Sequence, residues 1–265
     1  MTIGVIIAAA GHARRYLDSP GAVRHKLDED LGGRPLLQRT VELFNKHDSV
    51  HTIIVAGPAE DQAWNEFRMR YADKLAIIGA ALCRGGTHHR WETIKAAIEH
   101  VPAECTHIAV HDAARPCASP ELIDRVFAAA ERWSAVVPCM PIADTLKRLS
   151  EPEQAPSIAD PLADILGLPA KPAGVQFVRE TIDRAGVVAV QTPQVFEASL
   201  LRRAYAQDDL ASTDDATLIE RLGERVLAVE GDPRNIKITV PADLVLARAI
   251  LGFKPPAERE VHKRF

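Results

Sequence analysis

The chain has little cysteine: four residues in 265, Cys83, Cys105, Cys117 and Cys139, with no pair at Cys-x-x-Cys spacing. That scatter, beside apolar segments, argues against a zinc ribbon or a dithiol motif and predicts buried, reduced thiols in a reducing compartment. No apolar run approaches the roughly 20 residues that a membrane span needs, so no membrane association is expected. Strong charge of one sign is also missing. The net charge of -4 gives no whole-protein field for nucleic acid, although a few placed Arg and Lys can still bind polyphosphate locally. The N-terminal run MTIGVIIAAAG lacks a basic flank and reads as a buried strand rather than a signal peptide, which makes a cytoplasmic location the expectation. Two nucleotide fingerprints are absent from the loop after that strand: neither the GK[ST] of a P-loop nor Gly-x-Gly-x-x-Gly occurs there.

With 47% hydrophobic and 26% charged residues, the chain can fill one large core, and residues 1–265 are expected to form a single domain. Short apolar runs alternate with helical spacing. Strands are predicted at Gly4–Ala10, His51–Ala56, Leu75–Ile78, His107–His111, Ala135–Pro138, Val226–Val229 and Asn235–Thr239. Helices are predicted at Arg34–Phe44, within Ala59–Tyr71, and at Thr93–His100, Pro120–Arg132, Thr213–Leu222 and Pro241–Leu251; Ser119-Pro120 is a cap followed by proline at the first turn. This alternation predicts an α/β fold, a mostly parallel sheet with helices on both faces. Ligands bind outside the carboxyl ends of such strands, so the loops after Ala10, Ala56, Ile78 and His111 are the expected site. Ser150–Pro172, rich in Pro and Ala and without a period, reads as an excursion from the sheet.

Four polar groups fall in such loops or late in the chain. Ala9-Ala10-Gly11-His12-Ala13-Arg14-Arg15, with Lys26 downstream, has a glycine that lets the backbone turn its N–H groups to an anion. Arg14, Arg15 and Lys26 would neutralise a triphosphate there, the alternative being a plain strand-turn with solvated arginines. Val110-His111-Asp112-Ala113-Ala114-Arg115 places Asp112 to hold a divalent cation or to cap a helix, and His111 as an inward-facing strand residue. Gly85-Gly86 and Thr93 permit close approach to a flat base or ribose; His88 and His89, adjacent and without a third partner, read as surface histidines. The last group comprises Thr145, Arg184, Thr192, Thr213-Asp214-Asp215 and Lys237. Arg184 and Lys237 could clamp a second, phosphorylated substrate, and Thr213 with Asp215 reads equally well as a capping arrangement.

In order along the chain, VHDAARP (Val110–Pro116), DTLKR (Asp144–Arg148), QTPQVF (Gln191–Phe196), TDDA (Thr213–Ala216) and EGDPRNIKIT (Glu230–Thr239) resemble the motifs of the 2-C-methyl-D-erythritol 4-phosphate cytidylyltransferases. The resemblance runs from Ile3 to about Ala247 and is broken by the excursion. It implies a Rossmann-like nucleotidyltransferase fold of the nucleotide-diphospho-sugar transferase type. It also implies a projecting β-arm, here at about residues 145–188 and enlarged over the family's by Ser150–Pro172, and a homodimer formed through that arm. The implied reaction takes CTP, a polyol phosphate and Mg²⁺. By motif position, Arg15 and Lys26 match the transition-state stabilisers, and Ala9, Ala10, Gly11, Ala13, Gly85, Gly86, Arg90 and Thr93 the nucleotide contacts. Asp112, also the implied metal contact, joins Arg115, Thr145, Arg184, Thr192 and Lys237 in positioning the second substrate. Arg184 and Thr145 would reach the partner's site. A cytidylyltransferase for another polyol phosphate, such as ribitol 5-phosphate, and a non-catalytic nucleotide-binding homologue are the alternatives.

The first loop departs from that family's usual Gly-x-Gly-x-Arg-Met, with Ala13 for the second glycine and Tyr16 for methionine. The usual Pro-Lys-Gln becomes His25-Lys26-Leu27, and the stretch from Arg15 to Lys26 is longer. An extra residue precedes Arg90, and Thr93 replaces a serine. Alanine has fewer backbone conformations than glycine, so the loop is expected to take a somewhat different path.

Overall fold

The computed structural model describes residues 1–154 and 174–253. Two compact units emerge: Met1–Met140 with the chain from Val190 onward, and Pro141–Ala189. The first stretch holds β1 (Ile3–Ala8), α1 (Arg14–Leu17), a 3-10 turn (Lys26–Asp28), α2 (Leu36–Glu42), β2 (Val50–Gly57) and α3 (Asp61–Ala76). It continues with β3 (Ala80–Arg84), α4 (Arg90–Ile98), β4 (His107–Asp112), α5 (Pro120–Ala130) and β5 (Ala135–Pro141). Next come β6 (Leu146–Leu149), β7 (Glu153–Gln154), β8 (Gly174–Val175), β9 (Val178–Ile182) and β10 (Val188–Val190). The chain then adds β11 (Gln194–Glu197), α6 (Ala198–Ala204), α7 (Ala216–Arg221), β12 (Leu227–Glu230) and α8 (Pro241–Ile250).

In the larger unit the sheet runs β5-β11-β4-β1-β2-β3, with β12 paired to β5. β1 is its axis. It pairs in parallel with β2 and β4, so that Ile6 lies between Ile54 and Val110. Because side chains alternate along a strand, β1 feeds two cores. Ile3, Val5 and Ile7 join the core that includes α2, α3, α5 and α8, while Ile6 joins the one that includes α4, α6 and α7. Each of these fully buried side chains contributes roughly 1.5–3 kcal/mol. The expected α/β sheet with helices on both faces is thus present; β11 makes it mixed, running antiparallel to β4 and β5. At the start of α5, the Ser119 hydroxyl accepts the Leu122 N–H at 3.2 Å and Pro120 occupies the first turn, as predicted.

Three predicted elements change. Leu75–Ile78 is not a strand: Leu75 continues the buried face of α3 formed by Trp64, Phe67 and Tyr71. Gly79, at φ +80°, closes that helix with its N–H on the Ala76 carbonyl, and the strand follows at Ala80–Arg84. Asn235–Thr239 runs outside any strand, its Ile238 N–H bonded to the Ala114 carbonyl. The helix predicted at Thr213–Leu222 is only Ala216–Arg221, because the Asp214 carboxylate takes the Thr217 N–H and hydroxyl and starts it late.

The smaller unit is built on antiparallel ladders, β6 with β9 and β7 with β8. Leu149, Phe177 and Val178 are each about half exposed along them. The sequence excursion therefore begins in a strand at its near end, Glu153–Gln154, and its remainder, 155–172, lies outside the described residues. No helix among the described residues is long and apolar enough to cross a membrane.

Candidate active site

The strand ends converge on a cleft of about 330 Å³ in the larger unit. Its walls are the loop after β1, the loop between β3 and α4, the end of β4, and Lys237 with Thr239. The strand-end loops after β1 and β4 build the site as expected and the end of β3 replaces Ile78, but the loop after Ala56 does not line this cleft. Arg14, Arg15, Lys26, Arg90 and Lys237 face the cleft against the single carboxylate of Asp112. Such an excess of cations around one cavity is suited to a polyanion.

Asp112 is the hub. Its carboxylate meets Lys237 Nζ at 2.9 Å, Arg115 Nε at 3.3 Å and Arg90 Nε at 3.6 Å. Burial alone would raise its pKa, but Lys237, Arg90 and Arg115 outweigh that and hold the carboxyl well below the usual carboxylate range. Both arginines are anchored in turn. Arg90 Nη2 donates to Asp215 at 2.8 Å, Arg115 Nη1 to the Asn235 carbonyl at 2.7 Å. Asp215 is completely buried and also accepts the Tyr205 hydroxyl, so it is an ion-pair partner and not the helix cap its position suggested.

The backbone of Asp112 is fixed as well. Its N–H donates to Thr192 Oγ1 at 3.1 Å, and that hydroxyl lies 3.1 Å from His111 Nδ1. His111 Nε2 lies 3.0 Å from the Arg115 carbonyl, which can only accept, so Nε2 carries the proton and Nδ1 receives the Thr192 hydroxyl. Burial pushes the His111 pKa down to about 4, keeping the ring neutral. The inward-facing reading of His111 is correct. Thr192 and Arg115 touch Asp112 and its neighbours and do not line the cleft.

Lys26 Nζ donates to the Ile238 carbonyl at 3.0 Å, one residue along from Lys237. Burial, followed by the nearby Lys237 charge, pushes its pKa down to about 8. Arg14 and Arg15 begin α1, a single turn that follows Ala13. Ala13 sits at φ 52°, ψ 29°, a left-handed conformation that glycine takes freely and alanine at a cost of about 1–2 kcal/mol. Beneath the turn, Tyr16 is buried and its phenol is pushed up to about 12 by burial and then by Glu29.

The third wall explains its glycines by packing. A Cβ on Gly85 would lie 2.7 Å from the Gly57 carbonyl oxygen, and one on Gly86 only 2.1 Å from the Glu92 Cβ. The Gly86 N–H donates to Thr93 Oγ1 at 3.1 Å, and Thr87 and His88 both donate to the Glu92 carboxylate at 2.9 Å. Gly86, Arg90 and Thr93 line the cleft; Gly85 packs behind it. His88 and His89 are exposed, as expected, and they face the cleft. His12, Thr87 and Thr239 also line it and had no distinguishing signal beyond adjacency to a motif. Thr145 and Arg184 belong to the smaller unit, where the Arg184 guanidinium donates to the Ile142 and Ala143 carbonyls. No group of three or more His, Cys, Asp or Glu side chains placed to hold a metal occurs among the described residues.

Comparison with known proteins gives a consistent result. A family model described as 2-C-methyl-D-erythritol 4-phosphate cytidylyltransferase matches residues 3–253. The chain is 36% identical over 259 residues to the enzyme of that name from Frankia casuarinae, covering 97% of this chain and 84% of the relative. It is likewise 36% identical over 247 residues to the one from Rhodococcus jostii, covering 93% of each. The crystal structure of the Thermus thermophilus 2-C-methyl-D-erythritol 4-phosphate cytidylyltransferase superposes with a TM-score of 0.65 at 30% identity, over 94% of this chain and 98% of that one.

Proposed function

The chain belongs to the 2-C-methyl-D-erythritol 4-phosphate cytidylyltransferase family, and from that premise we propose that it joins CTP to 2-C-methyl-D-erythritol 4-phosphate. The products are the CDP-alcohol, an isoprenoid precursor, and pyrophosphate. The observation that carries this reading is the cleft itself, in which five cations surround one ionised carboxylate at the ends of β1, β3 and β4.

An acceptor phosphate oxygen attacks the α-phosphorus of CTP in line. The new P–O bond forms as the bond to the bridging oxygen breaks, and the electron pair leaves with pyrophosphate. A phosphate is already ionised at neutral pH, so no general base is needed; alignment and charge neutralisation suffice. Arg15 and Lys26 face the triphosphate and take up the charge that gathers on the leaving group. Binding that polyanion also favours the charged form of Lys26, offsetting the burial that depresses it. Gly86, Thr93 and the Ala9–Ala13 loop hold the nucleoside and the phosphates, with Gly85 packed behind Gly86. Lys237, held against Asp112, receives the acceptor's phosphate.

Mg²⁺ fits this donor set, because it is commonly held by one carboxylate plus substrate phosphate oxygens, and Asp112 is the cleft's one ionised carboxylate. When bound it would supply further positive charge at the phosphates. The half-exposed Leu149, Phe177 and Val178 of the smaller unit support a homodimer in which each arm, with Thr145 and Arg184, serves the partner's site. Pyrophosphate release from CTP, Mg²⁺ and methylerythritol phosphate tests the reading. Turnover is expected with that acceptor; equal or better turnover with ribitol 5-phosphate, or none with either, overturns it.

A further inference from the structure

The segment between the phosphate loop and Lys26 ends in a residue that bonds in both directions. His25 Nδ1 accepts the Leu27 N–H at 3.3 Å and so caps the 3-10 turn that carries Lys26. A nitrogen that accepts bears no proton, so the other nitrogen, Nε2, does. Nε2 lies 3.2 Å from the Gly11 carbonyl, which only accepts, and donates to it across fourteen positions of sequence. One imidazole in one tautomer thus ties the exposed phosphate loop to the Lys26 turn.

The two tied ends differ in rigidity. Asp28, within the same turn, takes the Arg70 guanidinium and the Tyr71 hydroxyl from α3, and Tyr71 also lies 2.9 Å from the Leu27 carbonyl. Leu27 is buried. Gly11, by contrast, is exposed, and a Cβ built on it would touch nothing, so packing does not hold the loop at that residue.

We propose that His25 is a positioning residue: it clasps the Gly11 loop to the fixed Lys26 turn, so that the loop amides, Arg15 and Lys26 meet one polyphosphate as a unit. The inference rests on the reading of the cleft as a nucleoside triphosphate site. A clasp of this kind acts on the nucleotide and leaves the acceptor's binding alone, because Asp112 and Lys237 are anchored independently of it. It reduces the freedom of the loop before the ligand arrives, which raises both affinity and alignment.

Two near-isosteric variants divide the two bonds. In His25→Gln the amide nitrogen reaches toward the Nε2 position and keeps the clasp while losing the cap. In His25→Asn the amide oxygen stands near Nδ1 and keeps the cap while losing the clasp. Hydrogen exchange of the ligand-free protein over residues 11–27 reads the clasp directly. Exchange faster in the Asn and Ala variants, with the Gln variant close to the parent, is expected. Steady-state kinetics then read its purpose: the Asn and Ala variants are expected to lose roughly 10- to 100-fold in kcat/KM for CTP. The KM for methylerythritol phosphate stays within about twofold, a conservative bound for an independently anchored subsite. Equal exchange in Asn and Gln, or a KM that rises equally for both substrates, overturns the clasp. A parent protein inert with CTP strikes the proposed function instead, and the exchange experiment still decides the clasp.

Discussion

The two walls of the cleft carry their charges in opposite ways. Asp112 at the end of β4 is nearly buried, held through its backbone by Thr192 and through its carboxylate by Lys237, Arg115 and Arg90. The Gly11–Lys26 segment exposes Arg14 and Arg15 on a single helical turn, holds Ala13 in left-handed backbone, and buries Lys26 enough to lower its pKa to about 8. The first wall is held in place by its own ion pairs; the second is a cationic surface whose countercharge is the ligand's. That difference suits a reaction without a general base. One substrate phosphate needs a fixed position, and the other needs cations aimed at the charge that gathers on its leaving group.

The comparison breaks first at its rigid side. Asp112→Asn removes the anion shared by three cations, and breaking a buried pair from one side costs about 3–5 kcal/mol. A comparable loss of stability in denaturant melts, together with a fall in turnover of at least roughly 10³-fold, is expected; an unchanged midpoint would show that the hub is not structural.

On the adaptable side, removing Lys26 should spare the fold. Lys26→Ala is expected to lower kcat by roughly 10²–10³-fold with melting little changed; near-normal turnover would end this role. The same residue gives a pH signature. Its pKa is lowered to about 8, so the charged form prevails below that pH and is lost above it. The kcat/KM for CTP, which reports the free enzyme, should therefore fall as pH rises through about 8. Lys26→Arg, charged throughout, should flatten that limb.

The smallest effect sharpens the picture of the loop. Ala13→Gly relieves about 1–2 kcal/mol of left-handed strain but adds about 0.4–1 kcal/mol of unfolded-chain freedom. The net change runs from about zero to roughly 1.6 kcal/mol stabilising. A clear loss of about 1 kcal/mol in chemical denaturation, the cost of Gly in an ordinary helix, would place Ala13 outside the left-handed region.

Much of this was legible in the chain. The β-branched runs of β1, β2 and β4 and the capped α5 follow from local pattern, because apolar alternation and capping are properties of neighbours. Leu75 misled for the same reason, since four apolar residues fit a strand or the last turn of a helix equally well and only its packing with Tyr71 decides. Arg90, Asp112 and Lys237 were identified as contacts by motif, but their joint hub was not visible. Nor was Asp215 as Arg90's partner, because an acidic residue before a helix reads as a cap.

The sequence by itself determined the kind of protein: an α/β fold, cation-bearing strand-end loops, and motifs of one transferase family. The tertiary structure decided how the charges are used. Arg90 meets Asp215 across 125 positions of sequence, and Lys26 meets the Ile238 carbonyl across 212. Ion pairing and desolvation depend on distance in space and on burial, and at such separations neither is encoded in any local stretch of the chain.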